Sequence, residues 1–166
     1  ETLREHKSTP YDVYGVFTVQ EEVGLRGAKV SALQIQPDFA FGLDVTLAVD
    51  VPGSKDHETI THLGKGTAIK ILDGSVICDY RMVNYMRETA KKHKIPYQME
   101  ILPAGGTDTA GLQGMTPGGS IAGCISIPTR HIHQVIEMAD KNDIRYSIDL
   151  LKKCLEGIDT YHWGFK

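Results

Sequence analysis

The hydrophobic positions of this chain switch between two rhythms. Residues 11–19 (YDVYGVFTV) are apolar and β-branched nearly throughout, which predicts a strand buried on both faces. The period then changes. Leu25, Ala28 and Ala32 fall at helical spacing, and Val30 and Leu33 extend their stripe. Residues 39–49 (FAFGLDVTLAV) predict a second buried strand, interrupted only by Gly42, Asp44 and Thr46. A polar loop follows from Val51 to Glu58. Residues 67–72 and 97–102 predict short strands. Between them, Arg81 to Lys94 sets Met82, Met86 and Ala90 on one helical face, and Ile95-Pro96 ends the pattern. Residues 105–123 form a glycine-rich stretch, and 124–127 are strand-like. Ile144, Ile148, Leu151, Leu155 and Ile158 predict a helix over 143–158, with Asn142 or Asp143 as its N-cap. The polar residues 1–10 predict the end of a helix and a turn at Pro10. Alternating strands and helices predict an α/β fold: a three-layer sandwich, with a largely parallel mixed sheet covered by helices on both faces. No internal repeat or linker breaks it, so 1–166 reads as one domain.

Composition narrows the function classes. A chain of 166 residues, 41% hydrophobic, is long enough to bury a core. The net charge of -3 supplies no basic face for nucleic acid. No apolar run approaches the roughly 20 residues of a membrane helix, and no secretory leader is visible. Cys78, Cys124 and Cys154 are odd in number and far apart, which predicts buried, reduced thiols in a cytoplasmic protein. The chain opens at Glu1-Thr2-Leu3 without Met, as a processed chain or a piece of a longer one would.

Ligands of such sheets bind at the carboxyl ends of strands. Glu21 and Glu22 lie just beyond the first strand, Asp44 lies inside the second, and His131 and His133 follow the 124–127 strand. A carboxylate inside a buried strand needs a partner or a metal. For Asp44 that partner is either a nearby Thr, Lys or Arg, or a cation. Adjacent acids before a helix are commonly a solvated first turn, though two neighbours leaving a strand point to opposite sides and can take different tasks. His133 gains meaning through company, whereas His6, His57, His62, His93 and His162 read as surface residues. Glu22, Asp44 and His133 make an oxygen and nitrogen set without sulfur, suited to a zinc, cobalt or manganese hydrolytic site. Gly64-Lys65-Gly66-Thr67 lacks the full phosphate-loop pattern and leads into a strand, so it is not read as one. Gly105-Gly106-Thr107-Asp108 is a tight turn where glycine permits a ligand to approach the backbone, or a plain loop.

Five motifs in order then carry a resemblance. Residues 17–28 (FTVQEEVGLRGA), 42–46 (GLDVT), 61–67 (THLGKGT), 105–108 (GGTD) and 127–133 (IPTRHIH) are similar to those of the tetrahedral aminopeptidases. This is a family of dinuclear metallopeptidases with glutamyl and deblocking members, some of which carry the name endoglucanase. The resemblance implies that Glu21 is the general base acting on a metal-bridging water. It implies that Glu22 and His133 hold one ion and Asp44 the other, with Gly106 and Thr107 touching substrate. It further implies two divalent ions (zinc or cobalt), short peptide substrates, and a large homo-oligomer of the full-length protein in the cytoplasm. There are departures. The last motif reads His131-Ile132-His133-Gln134 where the family has Tyr-Ile-His-Ser, and 109–120 differs from the family's helix-forming version. The family also needs a histidine and a bridging carboxylate upstream of residue 11, where His6 fits no such motif, and its small inserted β domain has no counterpart. The expectation is the C-terminal half of a catalytic domain. Two other readings stand beside it: a non-catalytic or incomplete chain with a partial site, and a glycoside hydrolase using Glu21, Glu22 and Asp44.

Overall fold

A computed structural model describes residues 2–5 and 9–164. Helix α1 (Thr2–Glu5) and α2 (Arg26–Ile35) precede strand β1 (Phe39–Leu47). Then come β2 (Thr67–Leu72), α3 (Tyr80–His93), β3 (Tyr97–Ile101), α4 (Asp108–Met115), β4 (Ile121–Arg130), β5 (Met138–Ala139) and α5 (Lys141–Gly157). The sheet order is β1-β4-β2-β3, with β5 added beside β4. β1 runs parallel to β4 and β2 parallel to β3, while β2 and β4 meet antiparallel. This is the mixed, mostly parallel α/β sheet that the alternating rhythms predict.

Register sorts the side chains. Gly42 pairs with Cys124 and Asp44 with Ser126, so these share one face. On that face Thr109 of α4 packs over Gly42, and α4 packs against α2. The other face belongs to α3 and α5. There Ile69, Met82, Met86, Ile125, Leu150 and Cys154 form the dry centre of the core. An aromatic cluster closes its end, where Phe39, Tyr85 and Tyr161 surround Trp163 at 4.5–5.0 Å. The three cysteines are buried and unpaired. Burial pushes the Cys124 thiol up to about 11 and the Cys78 thiol to about 12, so both stay protonated and inert.

Between the layers lies a polar knot. Lys70, Asp73 and Glu100 are buried on β2, just past its end and on β3. Lys70 pairs with Glu100 and lies 3.7 Å from Asp73. Thr46 donates to Glu100 at 2.6 Å and Thr107 to Asp73 at 3.0 Å. Burial alone would push the Lys70 ammonium down, yet Glu100 and Asp73 more than offset it and its pKa is raised.

Three sequence readings change. Residues 11–19 are not a buried strand: they form no ladder, and Tyr14, Val16, Phe17 and Val19 are exposed. Apolarity encodes burial but cannot supply the neighbouring strand that pairs the backbone. β1 is an edge strand with Leu43 and Val45 exposed, so it is half-buried, not buried on both faces. The glycine-rich stretch contains α4, a helix that its composition hid. Smaller shifts follow the same logic. Asp140, not Asn142 or Asp143, caps α5, and its buried face is Asp143, Ser147, Leu150 and Cys154. Val30 and Leu33 of α2 face outward while Ala28 and Ala32 are fully buried. His57, His62, His93 and His162 are exposed as expected, and His6 lies outside the described residues.

Packing around Gly123 gives the first prediction. A Cβ there would lie 2.6 Å from Met82 Cγ and 2.7 Å from Met86 Cε. Gly123→Ala should therefore destabilise the fold by about 1–3 kcal/mol through overpacking. Urea unfolding measures this as a lower midpoint at an unchanged slope.

Candidate active site

Three loops and one strand bring the candidate residues to one end of the molecule. The first loop turns sharply after Val19. Gln20 adopts a left-handed backbone (φ 58°), and the Glu21 carbonyl accepts from the amides of Gly24 (3.1 Å) and Leu25 (2.9 Å). The turn is anchored where the start of α2 sits against the chain: a Cβ on Gly27 would lie 2.5 Å from the Val19 nitrogen. Only glycine permits that approach. The result separates the two acids, with Glu21 half-buried and Glu22 exposed.

His133 arrives from the loop after β4. Its backbone is left-handed (φ 64°), as is that of His131 (φ 59°). The His133 amide donates to Glu137 Oε1 at 2.6 Å, which fixes the turn. Its ring Nε2 lies 3.1 Å from Glu22 Oε1, joining two residues 111 positions apart. His131 is exposed on the same loop, and no printed contact ties it to the acids. Asp44 sits half-buried on β1 and accepts from the Val45 amide at 2.7 Å. Its face is that of Cys124 and Lys70, so the buried ammonium lies beneath it.

One member of the site escaped the sequence reading as a separate residue. Asp108 opens α4 and accepts a hydrogen bond from Thr18, while its other oxygen is buried without a partner among the described residues. In the sequence it is indistinguishable from an ordinary first-turn acid; only its place after Gly105-Gly106-Thr107 hints at more. Gly106 is exposed, whereas Thr107 is buried with its hydroxyl committed to Asp73. This pair therefore offers backbone, not side chain, to the surface. Gly64-Lys65-Gly66 is closed by the chain itself: Asp143 accepts from the amides of Gly64 (2.7 Å) and Gly66 (2.8 Å).

The electrostatics show a site rich in negative charge. Burial, then the charges of Asp44, Glu22 and Asp108, raise the Glu21 carboxyl above its ordinary range, and His133 only partly offsets them. Burial also raises Asp44, reinforced by Asp108 and Glu22 and opposed by the Val45 amide and Lys70. Crowded carboxylates that hold protons against their own repulsion are short of a cation. Oxygen and imidazole donors without sulfur fit a divalent metal of the hydrolytic type. Among the described residues, no three His, Cys, Asp or Glu converge tightly enough to hold an ion by themselves. The site thus has a two-donor pair, Glu22 and His133, with Asp44 apart from it.

Comparison with known proteins agrees with this arrangement. The M42 glutamyl aminopeptidase family profile matches residues 1–150. An Acetivibrio thermocellus protein named as an aminopeptidase is 45% identical over 155 residues, covering 93% of this chain and 46% of its own length. An aminopeptidase structure from Desulfurococcus kamchatkensis is 42% identical with a TM-score of 0.90, covering 93% of this chain and 44% of that one. The TET1 peptidase of Pyrococcus horikoshii, which can assemble into a tetrahedron or an octahedral shell, is 32% identical with a TM-score of 0.72, covering 84% of this chain and 39% of that one. The chain therefore spans about half the length of the curated relative it matches.

The charge crowding can be tested without a substrate. Asp108→Asn should lower the carboxyl pKa of both Glu21 and Asp44 towards ordinary values. Carbon-detected NMR titration of the side-chain carboxyls reads both shifts, and unchanged values would show that burial alone sets them.

Proposed function

Because the chain belongs to the M42 glutamyl aminopeptidase family, we propose that residues 1–166 are the C-terminal half of one metal-dependent aminopeptidase domain that removes N-terminal residues from short peptides. In this reading Glu22 and His133 hold one divalent ion and Asp44 a second, zinc or cobalt. The observation that carries it is the 3.1 Å contact of His133 with Glu22, made beside a half-buried Glu21. When bound, such ions polarise a carbonyl and acidify water near neutral pH. Glu21 then has a defined task. It is next to Glu22 in sequence but half-buried where Glu22 is exposed, so it is free of the ligand role. Its raised proton affinity suits a base that takes the proton of the attacking water and returns it to the leaving amine. Gly106 and Thr107 would meet the peptide through backbone groups.

A second reading has its own support. With no three-residue metal cluster among the described residues, the chain alone would be an incomplete site. The two readings agree that further ligands, including a bridging carboxylate, come from outside these residues. The reading also takes the assembly seen in the horikoshii relative as a guide: the complete protein forms a large homo-oligomer. Three unpaired buried cysteines support a reducing, cytoplasmic setting. Among the described residues, no helix is long and apolar enough to cross a membrane.

The test is hydrolysis of an amino-acid anilide by the purified protein, with and without a chelator. Chelation should abolish turnover; activity indifferent to it would sink the metallopeptidase reading. Glu21→Gln should remove turnover by about 100-fold or more while leaving bound metal unchanged. Metal lost together with activity would make Glu21 a ligand instead. His133→Ala should lower metal retention, measured by elemental analysis after dialysis.

A further inference from the structure

Residues 14–19 are built for burial and are not buried. Phe17 is 96% exposed and Val19 67%, with Tyr14 and Val16 exposed beside them. Neighbouring positions of an extended chain face opposite ways, so both faces of this segment are apolar and wet. Its backbone is equally open: among the described residues, none of residues 12–18 has a backbone hydrogen bond to another segment. Unpaired backbone and bare apolar side chains together mark a strand without neighbours. The same side of the molecule is open elsewhere. Thr18 bonds Asp108, whose neighbour Thr109 packs on Gly42 of β1. β1 is an edge strand, and its Leu43 is 59% exposed. Leu43 also lines an apolar groove of about 100 Å³ with Ile127, Ile144, Ile148 and Leu151. That is the α5 stripe that the sequence marks as a core face.

We infer that residues 14–19, with the outer edge of β1 and the α5 groove, form a strand-docking surface, and that its occupant is the polypeptide that relatives carry and this chain does not match. The occupant need not be covalently joined: strand addition works between separate chains. Two observations select it over a second copy. The matched relatives are more than twice the length of the region they share, since that region is 46% of one and 44% of another. A symmetric dimer would pair one edge of the segment but leave both its faces in water. The occupant also lands beside Glu21, Glu22, Asp44 and Asp108, an acid-rich rim short of positive charge. It therefore belongs to the same site, and the inference rests on reading residues 1–166 as part of a larger catalytic domain.

The experiment mixes the 166-residue chain with the unmatched part of the Acetivibrio thermocellus relative, expressed separately. Light scattering should report a one-to-one complex, and amide exchange of residues 12–19 should slow by about tenfold or more. Phe17→Asp with Val19→Asp, both at exposed positions, should weaken the complex by about tenfold or more. Ile77→Asp, at another exposed apolar position (72% exposed), should leave it intact. Absence of a complex, self-association that protects residues 12–19 without the added polypeptide, or a complex indifferent to the double substitution would each overturn the inference. The peptidase reading fails separately. A complex lacking anilide hydrolysis overturns that reading and leaves the docking surface standing, whereas hydrolysis with residues 12–19 still exchanging freely does the reverse.

Discussion

A lysine shut away from water ties the layers of this molecule together. Lys70 has no exposed surface, and neither does Glu100 beside it. Stripping two charges of water costs several kcal/mol for each, so the pair survives only where the remaining hydrogen bonds are made. Here they are supplied by distant parts of the chain. Thr46 reaches in from β1, Asp73 stands at the end of β2, and Thr107 comes from the loop before α4. Asp73 also accepts from Ser75 and from the Val76 amide, which closes the turn out of β2. The arrangement therefore fixes where the Gly106-Thr107 loop lies, and with it the start of α4 that carries Asp108. The same ammonium lies under Asp44 and partly balances the acids above it. Fold and candidate site share one buried cation.

The parts legible in the sequence are those whose physics is local. α3 is fully declared by Met82, Met86 and Ala90, all without exposure, and by the Asp79 side chain that accepts from the Arg81 amide at its start. β2 and β3 are short apolar runs with clear stops. α4 is a different case. Gly111 and Gly114 lower its intrinsic helix preference, and the helix exists because Gly111 lets it press against Ala28 of α2, where an added Cβ would lie 3.1 Å from the Ala28 Cβ. That contact is tertiary and leaves no periodic trace. Residues 11–19 fail for the opposite reason. Their pattern states a need for burial correctly, but the strand that would satisfy it is not among the residues that carry the pattern.

The candidate site divides along the same line. Glu22 and His133 are separated by 111 positions, and no spacing rule could join them; only their shared place after strands suggested company. The structure puts them in contact. Asp44 was conspicuous because a charge interrupts an apolar run. The structure softens that signal, since β1 is an edge strand and Asp44 is half-buried. Asp108 was inconspicuous because acids are common in first turns, and its importance comes from Thr18 and the neighbouring carboxyls, which are contacts across the fold.

The left-handed residues around the site reach beyond geometry. Gln20, Leu25, His131 and His133 all have φ between 58° and 64°. Side chains branched at Cβ are poorly accommodated there, and asparagine, aspartate and glycine fit best. Variation in these loops is therefore filtered by backbone shape before chemistry is considered. Drift at positions 20, 25 and 131 would run through a narrow alphabet of small or flexible polar residues. Diversity in substrate preference would then accumulate more readily at neighbours with ordinary backbone angles, such as Gln134 and Val135, than at the turns that aim the acids and the imidazole.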